Sequence, residues 1–145
     1  MLKNIPSILS PDLLKILMEM GHGDEIDIAD GNFPAASNAQ RLVRCDGHGV
    51  PVLLDAILSL FPLDTYVDCP VALMAVLPND PTPVIWNEYK TILMKRESLV
   101  ETKIDFVERF NFYERAKKAY AIIATGESAI YANILLKKGV IKPSC

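Results

Sequence analysis

Apolar residues recur at helical spacing at Leu13, Leu14, Ile16, Leu17 and Met20, directly after Ser10-Pro11-Asp12. A capping hydroxyl followed by proline at the first helical position predicts a helix start there. Gly21 can end that helix, because glycine tolerates the positive φ of a C-terminal turn. From residue 25 to residue 30 the period drops to two, with Ile26 and Ile28 on one side and Glu25 and Asp27 on the other. This is a strand pattern. Asp30 shares the parity of the isoleucines, so it is expected at the strand end, pointing toward the buried side. A carboxylate there is costly unless it is paired or solvated by a pocket.

Further along, residues 31–40 (GNFPAASNAQ) read as an irregular loop, 42–45 as a strand, 52–61 as a helix and 71–77 as a buried strand. The run PNDPTP at 78–83 breaks the chain, and Val84, Ile85, Tyr89, Ile92 and Leu93 then form a helical stripe over 84–96. A strand is expected over 104–108, a helix over 112–119, a strand over 120–125 that ends at Gly126, and a last strand over 134–138 stopped by Gly139. Strands alternating with helices predict an α/β fold: one layered domain over 1–145, with a mixed β-sheet flanked by helices. The sequence contains no internal repeat, low-complexity tract or linker.

Composition narrows the function classes. With 145 residues, half of them hydrophobic, the chain can bury one substantial core. A net charge of −3 argues against nucleic acid, whose phosphates demand a concentrated basic face. The densest basic run, Arg115-Ala116-Lys117-Lys118, reads as a solvated helix face. No apolar run is longer than that at 71–77, far short of a membrane span. Pro6 and Pro11 interrupt the N-terminal apolar stretch, so no secretory leader is expected. Cys45, Cys69 and Cys145 are odd in number and widely spaced, which predicts reduced thiols in a cytoplasmic protein.

Candidate chemistry centres on GHGDEIDIADGNFP at 21–34. Its carboxylates, Asp24, Glu25, Asp27 and Asp30, are oxygen donors that could suit a hard cation, but they miss calcium-loop spacing and a strand would split them between two faces. The Gly-His-Gly at 47–49 lies between a strand and a helix, as a phosphate-binding turn would, yet Val52 stands where a dinucleotide fingerprint needs its third glycine. No Gly-x-Ser-x-Gly elbow supports a covalent hydrolase. No cofactor motif remains. The chain has two histidines, and His22 is the more suggestive one. An imidazole both gives and takes protons near neutral pH, and flanking glycines leave it uncrowded. From spacing alone His22 is equally a turn residue.

Beyond these local patterns, GHGDEIDIADGNFP, the segment LDTYVDCPVALM at 63–74 and above all ERFNFYERAKKAYAIIATGESAIYANILLKKGV at 108–140 resemble the L-fucose mutarotase and D-ribose pyranase family, on its L-fucose side. The resemblance covers nearly the whole chain and is loosest over 78–100. It implies a cofactor-free mutarotase acting on a monosaccharide, L-fucose or a related sugar. By the same resemblance His22 would be the acid/base residue, with Asp30, Arg109, Tyr131, Ala132 and Asn133 binding substrate. Ala132 stands where the L-fucose enzymes usually have glycine, and His48 where the family has an apolar residue, which makes His48 incidental. The resemblance further implies a homo-oligomer, often a decamer of stacked pentamers, whose sites borrow residues from neighbouring subunits. Trp86 and Tyr89, a helical turn apart, suit either a wall of the sugar pocket or the core.

Overall fold

The computed structural model describes residues 1–144; Cys145 lies outside them. Six strands form one sheet in the order β2-β5-β1-β6-β3-β4: β1 Glu25–Ala29, β2 Leu42–Cys45, β3 Val71–Met74, β4 Ile104–Val107, β5 Ala121–Thr125 and β6 Ile134–Lys137. β1 and β2 run parallel to β5, and β3 is parallel to β4. β6 is inserted between β1 and β3 antiparallel to both. The sheet is therefore mixed, as expected. One consequence matters for function: the N-terminal end of β6 meets the C-terminal ends of β1 and β3, through Ile134 paired with Ile28 and Leu73.

Helices cover both faces. On one side α1 (Pro11–Glu19), α3 (Val50–Leu58) and α4 (Ile85–Glu97) pack over Ile26, Ile28, Ile123 and Leu136. On the other, α2 (Ala35–Asn38) and α5 (Arg109–Lys118) pack over Ala29, Ala72, Ile122 and Leu135. α1 starts as its sequence predicts, with Pro11 in the first turn and the Ser10 hydroxyl accepting from the Leu13 N–H. Two-sided covering corrects the reading of β1: Asp27 does not face water but is fully buried under α5.

Other boundaries differ. β3 stops at Met74, short of the strand to residue 77 that the apolar run predicts, and α3 ends at Leu58, before residue 61. The loop over 31–40 contains the short α2. α3 begins at Val50, two residues earlier than expected, capped by the Glu127 carboxylate that accepts the Val50 N–H at 3.0 Å. α5 begins at Arg109 and not at residue 112, because Glu108 caps it, accepting from the Phe110 and Asn111 N–H groups at 3.0 and 3.1 Å. That earlier start fixes Arg109 at the first position of α5, beside the C-terminal end of β4.

Candidate active site

Where β1, β3 and β4 end and β6 begins, a cavity of about 580 Å³ opens. Open α/β sheets place ligands at the carboxyl ends of their strands, where loops diverge. Asp30, Arg109, Tyr131 and Asn133 all line it, so four residues spread over the sequence meet at one place. The meeting is imposed by strand register: Asp30 follows β1, Arg109 follows β4, and residues 131–133 precede β6.

Segment 131–133 is held from several directions. The Asn133 side-chain carbonyl accepts the Asp30 N–H at 2.7 Å. In return the Asp30 carboxylate accepts from Ala132 N–H at 3.3 Å and Asn32 N–H at 3.0 Å. Burial raises the Asp30 carboxyl above its ordinary range, against the pull of the N–H groups of Ala132, Asn32 and Phe33. Tyr131 has φ of 53°, a left-handed conformation that costs a bulky residue about 1 kcal/mol. Its carbonyl accepts the Trp86 indole N–H at 2.8 Å, and the Ala132 carbonyl accepts the Tyr89 hydroxyl at 2.6 Å. Trp86 and Tyr89 are buried in the core, so they brace the segment from behind and do not form the cavity wall. Ala132 is fully buried in that same core, and what it offers the site is its N–H to Asp30.

Arg109 bonds the Tyr113 hydroxyl through Nε at 3.1 Å and lies near the faces of Phe110 and Tyr113. It makes no bond to Asp30. Its guanidinium is exposed at the cavity rim, with other donors free for a ligand. Cavity residues that the sequence pattern does not single out include Asp80, Glu108 and Phe33. Asp80, in the proline-rich break, accepts the Tyr131 hydroxyl proton at 2.5 Å. Phe33 packs edge-on against Tyr113 and lines the cavity beside it.

His22 is elsewhere. It precedes β1 while Asp30 follows it, and the five-residue strand alone separates them by roughly 16 Å at about 3.3 Å per residue. At that opposite end of the sheet, His22 Nε2 is 3.0 Å from the Asp64 carboxylate, and its ring lies 5.3 Å from that of Tyr66. Asp64 is buried, yet the Tyr66 N–H and His22 outweigh burial and hold its carboxyl below the ordinary range. An ionised carboxylate only accepts, so Nε2 is the ring nitrogen that donates to Asp64. The acidic cluster at 24–30 also disperses: Asp24 accepts the Gly21 N–H, Glu25 pairs with Arg115, and Asp27 is buried. Among the described residues no three His, Cys, Asp or Glu side chains gather as metal ligands. At 47–49, the His48 backbone carbonyl accepts the Gly126 N–H, a structural use of that triplet. No helix of the described residues is long and apolar enough to cross a membrane.

The fold and cavity define an α/β protein with a small-molecule site at one end of a mixed sheet. The model of the RbsD / FucU transport protein family matches residues 3–141, and the chain belongs to that family. It is 53% identical to the fucose mutarotase of Homo sapiens over 97% of this chain and 94% of that protein. Among solved structures, the fucose mutarotase of Streptococcus pneumoniae in complex with L-fucose superposes with a TM-score of 0.94 at 55% identity, covering 97% of this chain and all of that one. Bacillus subtilis RbsD complexed with D-ribose superposes at 0.73 with 25% identity, covering 98% and 100% of the two chains.

Proposed function

We propose that this protein is an L-fucose mutarotase, interconverting the α and β anomers by cofactor-free general acid–base ring opening and closure. The observation that carries it is the 0.94 superposition, at 55% identity, on a fucose mutarotase bound to L-fucose. The lower likeness to a ribose-bound relative places fucose ahead of pyranose–furanose interconversion of ribose. Asp30 and Asn133 offer fixed polar groups to sugar hydroxyls, Arg109 offers unspent donors, and the Tyr131 ring offers an apolar face.

In the reaction, a base removes the proton on the anomeric O1 while an acid protonates the ring oxygen. The C1–O5 bond breaks, and the C1–O1 bond becomes a carbonyl. Rotation about C1–C2 turns the other face of the aldehyde to O5, and reclosure returns both protons. His22 Nδ1 suits the proton transfer, worth roughly 10²–10⁴-fold as a positioned acid/base. Because His22 and the cavity occupy opposite ends of one chain, we place a neighbouring protomer's His22 over each cavity. Exposed Phe110 and Ile130 lie near one end and exposed Tyr66 and Ile141 near the other, which suits head-to-tail association into a closed ring. A cytoplasmic, ring-shaped homo-oligomer of ten chains is our reading of the assembly.

Saturation-transfer NMR on L-fucose tests the activity: anomer exchange should quicken with protein present, and no acceleration would refute the proposal. Mixing separately inactive His22→Ala and Arg109→Ala proteins tests the shared site. Mixed rings should regain part of the exchange rate, whereas a site built within one chain would regain none.

A further inference from the structure

The acceptors facing the cavity outnumber its cations. Three carboxylates line it, from Asp30, Asp80 and Glu108, against the single guanidinium of Arg109. Two of the three are already engaged by backbone donors. Both Asp30 oxygens accept N–H groups, from Asn32 and Ala132, and Glu108 Oε2 accepts two at the start of α5. Asp80 differs. It sits on the turn after β3, and its Oδ2 takes the one proton that the Tyr131 hydroxyl can donate. The Leu77 N–H approaches that same hydroxyl oxygen at 3.5 Å, the limit of a useful bond. Toward a ligand, then, the Tyr131 hydroxyl presents only lone pairs. Its left-handed backbone and its bond to Asp80 together fix where its ring stands.

Resting on the mutarotase reading above, we propose that Asp80 is a specificity-determining residue of the sugar cavity. It pins the Tyr131 ring as a wall and, with Asp30 and Glu108, makes the cavity accept neutral polyhydroxylated sugars and reject acidic ones. A neutral sugar brings a hydroxyl proton for each waiting acceptor. A sugar carrying a carboxylate brings acceptors to acceptors and negative charge to negative charge, and one arginine cannot offset three carboxylates.

The test uses L-fucose as substrate and L-galacturonate as competitor, the same sugar with a carboxylate in place of the C6 methyl. Exchange is read by saturation-transfer NMR for wild type, Asp80→Asn and Tyr131→Phe. In the wild type the inhibition constant for L-galacturonate should exceed KM for L-fucose by roughly tenfold or more. In Asp80→Asn, KM should rise about tenfold through the lost charged acceptor, and the ratio of the two constants should collapse toward one. Tyr131→Phe keeps the charge of Asp80 and should keep the ratio within about threefold of wild type. An unchanged ratio in Asp80→Asn would overturn the proposal. So would an equal loss in Tyr131→Phe, which would make Asp80 only a support for the ring. If the wild type binds L-fucose without speeding its exchange, the catalytic reading falls alone. The same ratio read from ligand-observed binding of the two sugars then decides the role of Asp80. Binding of neither sugar overturns both.

Discussion

Replacing Asp27 with valine should stabilise the protein, an unusual expectation for a charged residue in the strand that leads to the cavity. The side chain lies between Ile122 of β5 and Leu135 of β6, under α5, with no exposure, and neither carboxyl oxygen has a hydrogen-bond partner among the described residues. Burial, and secondarily the nearby Asp30, raise its carboxyl well above the ordinary range, so folding favours its neutral form. A buried polar group without a partner costs about 1–3 kcal/mol. Valine removes that cost, fits a strand and adds apolar contact to the layer under α5. Taking about 2 kcal/mol, with each kcal/mol moving Tm by roughly 3–4 °C for a chain of this length, the expected rise is about 6–8 °C. The pH dependence has a definite sign. Below the unfolded carboxyl's value of 3.8, both states hold the proton and ionisation costs nothing. As pH rises above it, the unfolded chain releases a proton that the folded chain must keep, and wild-type stability falls. The advantage of Asp27→Val should therefore be larger at pH 7 than near pH 4, and Asp27→Asn should recover only the ionisation part. Melting curves by circular dichroism would check this at one fixed protein concentration, since any self-association makes Tm concentration-dependent. A variant that melts at or below wild type at pH 7, or whose advantage grows on acidification, would refute the reasoning.

His22→Ala should lower L-fucose exchange by roughly 10²–10⁴-fold while ligand-observed NMR still detects sugar binding. Ala132→Gly should leave KM for L-fucose unchanged, because the Ala132 methyl is buried in the core and not on the cavity wall. The same change should lower stability by about 1 kcal/mol, read from a denaturant midpoint. Gly126→Ala should destabilise by roughly 2 kcal/mol or more in the same assay, since an added Cβ would sit 2.1 Å from the Asp46 carbonyl oxygen, in backbone that cannot step aside.

Much of the fold was legible because local physics and global packing agree. Ser10 and Pro11 mark the start of α1, and the first four residues of the apolar run at 71–77 form β3, buried on both faces. The failures have equally specific causes. Alternation in β1 marks only the isoleucine side as buried, but α5, far away in sequence, covers the other side and buries Asp27. The start of α5 was missed because glutamate is an unusual cap, and a pattern of apolar spacing says nothing about which side chain turns back on its own helix. Asp80 was invisible for a related reason. Its partner, Tyr131, lies 51 positions away, and only the antiparallel insertion of β6 brings the two together.

The motif GHGDEIDIAD looked like the core of one site because its residues are contiguous. A strand, however, acts as a ruler, and no rotamer shortens it. His22 before β1 and Asp30 after it must occupy opposite ends of the sheet, each built with its own buried carboxylate, Asp64 beside His22 and Asp30 itself at the cavity. If the proposed assembly holds, contiguity in sequence encodes two half-sites with a fixed offset, and head-to-tail association of identical chains would bring one protomer's histidine to the next protomer's cavity. On our reading of the function, this makes assembly a precondition of the chemistry. Substitutions at the apolar ends of the sheet should then reduce activity without touching a residue that meets the sugar.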